Sequence, residues 1–280
     1  MPHRSMVLLS AALLGLATAG GVHAADGRTG TTPAADAGAT VDQRPARVLF
    51  VGNSHTATHS LPEIVVALAR RQGVAMEVEM LTEPGHSLGD HLAGGRLQAA
   101  LQRADWDWVV LQQGPSSRPE SRVDLRRSVT AIAEALHGRR ARIALMSVWP
   151  HRRDRASSLA AEESYRQAAA AIDACVLPVA TAWRLAGSAD GAPRLYQRDQ
   201  LHATRAGTVL AALTVGLGVI GPDRAAPPPA TGDATRPDAI NELQVLREFA
   251  ARAHRDEPRR CEAATTGPST ASAIDKDTLR

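Results

Sequence analysis

Short apolar segments and longer amphipathic segments alternate along the middle of the chain. The short segments predict strands over residues 48–51, 76–81, 106–113, 141–147 and 175–179. The longer segments carry apolar residues every three or four positions and predict helices over residues 61–72, 91–103, 123–137, 158–172 and 204–220. This alternation indicates a parallel sheet with helices packed on both of its faces.

The first predicted strand ends abruptly in a small, polar turn. Residues 48–51 are all apolar, as expected of a strand that is buried on both faces. Gly52 allows the backbone to turn tightly, and Ser54 then lies at the carboxyl end of the strand, where open α/β sheets bind their ligands. A serine in this position is a candidate nucleophile. The alternative is that it only begins or caps the following helical segment.

The beginning of the chain has the composition of a targeting segment. A basic residue, Arg4, precedes an apolar stretch and a small-residue site at 22–24, which predicts a secretory signal peptide over residues 1–24. Its cleavage would give a periplasmic or secreted protein with no stable membrane insertion, and an uncleaved anchor is the alternative. Residues 25–45 lack apolar periodicity and predict a flexible leader before a folded domain over residues 46–221.

The end of the chain changes to a composition rich in Ala, Pro and Thr. Residues 222–237 predict a linker, residues 238–254 one amphipathic helix, and residues 255–280 a disordered tail. On this interpretation, removal of residues 222–280 should preserve catalysis.

Charge and cysteine usage restrict the class of protein. The formal net charge is +3, and it falls by one with the loss of Arg4, so the surplus is too small to indicate a nucleic-acid partner. Cys175 and Cys261 could form a disulfide in an oxidising compartment, or both could be free thiols. His55 and His59 have the spacing of helix-borne metal ligands, but no acidic residue lies between them, so no metal site is predicted.

Asp199 and His202 lie three positions apart in the loop before the last predicted helix. This spacing lets the carboxylate reach Nδ1 of the histidine while Nε2 points away, which is the arrangement of a general base and its orienting acid. Together with Ser54 they would form a Ser-His-Asp triad. Alternatively, Asp199 caps a turn and His202 is a solvated loop residue.

The residues 48–56 and 199–202 together resemble the first and last motif blocks of the SGNH (GDSL-like) hydrolase superfamily. Gly-Asn-Ser replaces the commoner Gly-Asp-Ser, as in one bacterial branch. The resemblance implies a flavodoxin-like three-layer α/β/α sandwich with a central parallel sheet of about five strands. It also implies a serine esterase without a cofactor, in which Ser54 attacks the acyl carbon, His202 relays the proton and Asp199 orients His202.

The family stabilises the reacting oxyanion with three donors, and the resemblance assigns each of them. They are the backbone amide of the nucleophilic serine, a backbone amide of the loop from Gly85 to Gly89, and a side-chain amide after the third strand. Asn usually supplies the last donor. This chain has Gln112 at the strand end, with Gln113 and Ser116 as alternatives.

The sequence carries less information about the substrate. Aromatic residues make up 3% of the chain, and no long apolar insertion could form a lid over a lipid. Arg152, Arg153 and Arg155 follow Trp149, which favours a shallow groove for a hydrophilic alcohol. Exported proteins of the resembling family commonly remove small acyl groups from carbohydrates, so acetyl esters of a polysaccharide or glycoside are expected. A broad esterase or lipase, and a catalytically silent carbohydrate-binding or scaffold protein, are the alternatives.

Overall fold

A five-stranded sheet forms the centre of the protein, of which the computed structural model describes residues 44–221 and 237–261. The strands are β1 (Ala46–Gly52), β2 (Met76–Thr82), β3 (Trp108–Leu111), β4 (Arg142–Met146) and β5 (Cys175–Leu177). All neighbouring strands pair in parallel, in the order β2-β1-β3-β4-β5. This confirms the predicted α/β class and the number of strands.

Nine α-helices are present in the described ranges. They are α1 (Ser54–Ala57), α2 (Leu61–Arg71), α3 (Leu88–Ala93), α4 (Arg96–Arg103), α5 (Pro119–Ala135), α6 (Ser158–Ala170), α7 (Val179–Gly187), α8 (Arg205–Val219) and α9 (Pro237–Asp256). The single helix predicted over 91–103 is two helices, because Gly95 adopts a φ of +71° that interrupts the helix. Sequence reasoning missed α7, whose apolar residues follow β5 with only Pro178 between them.

The strands bury side chains on both faces of the sheet. Val48 and Phe50 enter one core with residues of α2, α7, α8 and α9, whereas Leu49 and Val51 enter a second core with residues of α3, α4, α5 and α6. All four side chains are fully buried. Successive residues of a strand point to opposite faces, so a strand between two helical layers must be apolar at every position. The result is a three-layer α/β/α sandwich.

The C-terminal region is tied to this sandwich. Leu246, Ala250 and Ala253 of α9 are buried against the core that contains α8. Cys261 forms a disulfide with Cys175 of β5, which settles the pairing that the sequence left open.

The segment after α9 is ordered as far as the disulfide. The Glu257 carboxylate is buried and accepts a hydrogen bond from Arg166 Nε at 2.9 Å. The backbone of Arg259 accepts a hydrogen bond from the Val176 amide at 2.7 Å. The prediction of a disordered tail is therefore wrong for residues 255–261, because these contacts and the disulfide fix that segment.

Several sequence predictions lie outside the described residues. They are the signal peptide over 1–24, the leader as far as residue 43, the linker over 222–236 and the tail over 262–280. Within the part of the chain that the structure describes, no helix combines the length and the apolar character needed to cross a membrane.

Candidate active site

The turn after β1 places Ser54 at the carboxyl edge of the sheet. Asn53 is the N-cap of α1 and Ser54 is its first residue, with a partly exposed side chain. Gly52 is required by a close approach of two side chains, since a Cβ there would lie 2.4 Å from Gln112 Oε1 and 2.6 Å from Thr56 Oγ1. Any larger residue at position 52 would therefore displace the side chains of Gln112 and Thr56, which contact the turn that carries Ser54.

The Asn53 side chain joins this turn to two neighbouring segments. Its Oδ1 accepts hydrogen bonds from the His55 amide at 3.1 Å and from Gln112 Nε2 at 3.0 Å. Its Nδ2 donates to the carbonyl of His86 at 3.0 Å, in the loop after β2. An aspartate has no hydrogen to donate to that carbonyl when it is ionised, so the amide of Asn53 suits this position better than a carboxylate would.

Gln112 braces the turn and offers no free donor to a substrate. Its Oε1 accepts from the Asn53 amide at 3.0 Å and from Thr56 Oγ1 at 2.7 Å. Both hydrogens of its Nε2 are used, one by Asn53 Oδ1 at 3.0 Å and one by the Gln113 carbonyl at 2.7 Å. The side chain is fully buried. The prediction that Gln112 stabilises an oxyanion is therefore corrected to a positioning role for the Ser54 turn.

Gln113 and Ser116, the two alternatives to Gln112 as oxyanion donors, also donate their hydrogen bonds within the protein. Gln113 Nε2 donates to Ser116 Oγ at 3.0 Å, and its Oε1 accepts from the Leu88 amide at 3.1 Å. Ser116 Oγ donates to the Gly114 carbonyl at 3.0 Å. Sequence reasoning could not find these internal bonds, because they depend on how the loops after β2 and β3 meet.

The loop after β2 lies against the Ser54 turn. His91 is buried, and its Nε2 donates to the Gly52 carbonyl at 2.8 Å. Gly85 lies in an exposed turn with a φ of +75°, and Gly89 is the second residue of α3. The backbone amides of Ser54 and Gly89 donate to no protein acceptor in residues 44–221 and 237–261. These two amides remain available as oxyanion donors.

Asp199 and His202 form the pair that the spacing predicts. Asp199 Oδ2 lies 2.6 Å from His202 Nδ1, and Oδ1 accepts the backbone amides of Leu201 and His202, each at 3.0 Å. The hydrogen bond from His202, reinforced by these two amides, lowers the pKa of Asp199 to about 2. The carboxylate is thus ionised at neutral pH and holds the hydrogen of the imidazole on Nδ1, which leaves Nε2 with a free lone pair.

A buried tryptophan anchors the loop that carries this pair. Trp149 Nε1 donates to the Leu201 carbonyl at 2.9 Å, and its ring stacks on Trp183 at a centroid distance of 3.6 Å. The Gln197 amide donates to the His202 carbonyl at 2.8 Å. Trp149 is 1% exposed. It is therefore part of the core and cannot provide a platform for a substrate.

The Asp199–His202 pair lies beside the segment that follows Ser54. The ring of His55, the next residue in the chain, is 6.4 Å from the ring of His202, and His59 Nε2 is 3.4 Å from Gln197 Nε2. The fold thus brings the beginning and the end of the domain together at one edge of the sheet.

Sequence reasoning did not predict that His55 is buried beside the candidate site. The ring is buried, 5.0 Å from the ring of Trp149, and its Nδ1 lies 3.2 Å from Asn53 Oδ1. Because that oxygen is an acceptor, Nδ1 carries the hydrogen, and the buried Nε2 has no partner. Burial, with a smaller contribution from His202, lowers the pKa of His55 from 6.5 to about 4.

No group of three or more His, Cys, Asp or Glu side chains in the described ranges is arranged to hold a metal ion.

The lowered pKa of His55 predicts a loss of stability in mild acid. As the pH falls from 6.5 toward 4, the unfolded chain protonates at position 55 before the folded protein does. Stability is therefore lost over that interval, by up to about 3 kcal/mol. We expect the Tm, followed by circular dichroism, to fall more steeply with pH in the wild type than in His55→Gln. The pKa of His254 is also lowered by burial, but this residue is present in both proteins. Parallel Tm profiles would contradict the prediction.

The fold and the site define a class of protein: a three-layer α/β protein with serine, histidine and aspartate at the carboxyl edge of a parallel sheet. No family model matches the chain, and no curated protein matches it. A solved structure from Slackia heliotrinireducens, described as an SGNH hydrolase, is 32% identical over 62% of this chain and 98% of that chain, with a TM-score of 0.54. The chain belongs to the SGNH hydrolase family.

More distant structures share the fold. A DUF4886 family protein from Bacteroides uniformis is 18% identical over 75% of this chain and 95% of that chain, with a TM-score of 0.62. Axe2 is an acetyl xylan esterase from Geobacillus stearothermophilus. The structure of one of its variants is 14% identical over 68% of this chain and 100% of that chain, with a TM-score of 0.52.

Proposed function

We propose that the protein is an exported serine esterase that removes acetyl groups from carbohydrate-type substrates. The observation that carries this proposal is the 2.6 Å contact of Asp199 with His202 Nδ1, beside the turn that presents Ser54. It leaves the other ring nitrogen free to accept a proton. Membership of the SGNH hydrolases supports hydrolysis, and the composition of residues 1–24 supports export.

In this mechanism, Ser54 Oγ attacks the acyl carbon of the ester while His202 Nε2 accepts the hydroxyl proton. The ionised Asp199 stabilises the imidazolium that forms. His202 then returns the proton to the departing alcohol, which leaves an acyl group on Ser54. A water molecule attacks this acyl-enzyme, again with His202 as the base, and releases the carboxylic acid and free Ser54. The amides of Ser54 and Gly89 are our proposed donors to the oxyanion.

A small acyl group is supported by the low aromatic content and by the absence of an apolar insertion long enough to form a lid. It is also supported by the fold shared with Axe2, which is an acetyl xylan esterase. One observation favours a catalytically silent protein instead, namely that Gln112, Gln113 and Ser116 use their donors internally. A fluorophosphonate probe separates the two proposals, because it labels only an activated serine.

The acyl preference is tested with p-nitrophenyl acetate, butyrate and octanoate. We expect kcat/KM to be highest for acetate and at least about 10-fold lower for octanoate, since a shallow groove gains little from a long chain. Acetate release from acetylated xylan and from peracetylated glycosides then tests the alcohol. Faster turnover of octanoate would overturn the acetyl assignment and indicate a lipase-like enzyme.

A further inference from the structure

Arginines are frequent in the loop that carries Asp199 and His202 and in the segment that contacts it. Residues 151–157 and 194–205 contain six arginines and only two acidic residues. We call these arginines the basic rim; they are Arg152, Arg153, Arg155, Arg194, Arg198 and Arg205. The local surplus of four positive charges exceeds the net charge of +3 of the whole chain. The positive charge of the protein is therefore concentrated beside its candidate catalytic pair.

Most of the basic rim is not neutralised by the protein. All six side chains are exposed, and within the described residues only Arg153 has a carboxylate partner, Asp154 at 3.7 Å. Arg152 Nη1 instead donates to the side-chain oxygen of Gln200 at 3.1 Å. The second acid of this region, Asp199, is already bound to His202. Several arginines on other surfaces are paired, as Arg103 is with Glu79.

The basic rim is attached to the catalytic loop by direct contacts. The Arg152 amide donates to the Gln200 carbonyl at 2.9 Å, and Tyr196 Oη donates to the Pro150 carbonyl at 3.0 Å. Burial raises the pKa of Tyr196, and the nearby guanidiniums of Arg155 and Arg152 oppose that rise. Arg198 directly precedes Asp199. An anionic group held by the rim would therefore lie next to an ester positioned at His202.

We propose that the basic rim binds the carboxylates of an acidic polysaccharide, so that the natural substrate is an acetylated polyuronate. This inference rests on the proposed function and adds the charge of the substrate to it. The planar guanidinium matches a carboxylate with two parallel hydrogen bonds. Each exposed contact is weak, but several positive charges on two contacting segments suit a polymer that repeats its negative charge.

Binding is tested separately from catalysis by affinity electrophoresis. We compare polygalacturonate with the same polymer after reduction of its carboxyl groups, which removes the charge and keeps the backbone. At about 50 mM NaCl we expect the wild type to bind the charged polymer at least about 10-fold more tightly, with most of this preference lost at about 500 mM. Equal retention by the two polymers overturns the proposal. Equally tight binding of double-stranded DNA also overturns it, since the rim would then be a general polyanion site.

Variants locate the binding surface. Arg155→Gln with Arg198→Gln should lower the affinity for polygalacturonate at least about 5-fold, because two unpaired charges are removed. Arg126→Gln with Arg139→Gln is the matched control, since both arginines are exposed and have no ion pair in the described ranges. An equal loss in the control would overturn the assignment to the rim. The kcat/KM ratio between acetylated polyuronate and its reduced form should fall in parallel with binding. Failure to hydrolyse any ester would refute the proposed function but not the binding result.

Discussion

Replacement of Ser54 with alanine should lower ester hydrolysis by at least about 10⁴-fold while leaving the Tm within a few degrees of the wild type. The mechanism has no other nucleophile, and the partly exposed Ser54 hydroxyl has no hydrogen bond within the described residues whose loss would weaken the fold. The measurement is the hydrolysis of p-nitrophenyl acetate, together with mass spectrometry of fluorophosphonate labelling. His202→Ala should be nearly as severe, whereas Asp199→Asn should retain more activity.

Ser117→Ala provides the matched control for this experiment. Ser117 is a partly exposed serine on the loop after β3, and the mechanism gives it no role. Its replacement should leave activity and labelling unchanged. Full activity in Ser54→Ala, or a label on another serine, would refute the mechanism.

Ending the chain after Gly221 should abolish the cooperative fold. This truncation removes α9, including the buried Leu246 and Ala250, and the disulfide between positions 175 and 261. A disulfide across a sequence separation of 86 residues stabilises a protein by about 4.6 kcal/mol on the chain-entropy model. Together with the lost apolar contacts, this approaches the roughly 5–15 kcal/mol by which domains are stable. Thermal unfolding followed by circular dichroism provides the measurement.

A chain that ends after Cys261 is the control for the truncation. It keeps α9, the disulfide and the ion pair of Glu257, so its Tm should match that of the full chain. A cooperative transition at the normal Tm in the chain ending at Gly221 would show that the C-terminal region is dispensable, as the sequence alone suggested.

The elements that could be predicted from the sequence are those with a local signal. The apolar run at 48–51 is buried on both faces, and the spacing of Asp199 and His202 predicted their contact. Helix α7 was missed because β5 and α7 are both apolar and no polar loop separates them. The catalytic roles of Ser54, His202 and Asp199 stay predictions.

The role of Gln112 could not be predicted, because it depends on an approach between distant segments. Its side chain follows β3 and reaches the turn after β1; one Nε2 hydrogen is donated to Asn53 in that turn and the other to the Gln113 carbonyl. A family motif identifies the strand end at which a donor belongs, but it does not show where that donor points. The same limit applies to His55, whose low pKa arises from burial beside Trp149 and from the neighbouring His202.

The segment beyond α9 also affects how the protein behaves toward copies of itself. Strand β5 lies at one end of the sheet, and its Val176 pairs on the outer side with Arg259 and Arg260. An uncovered edge strand offers unpaired amides and carbonyls to the sheet of another molecule, which promotes aggregation. The disulfide at position 175 holds the covering segment in place. Reduction would therefore do more than weaken the fold, because it would free the edge of the sheet to recruit a neighbouring chain.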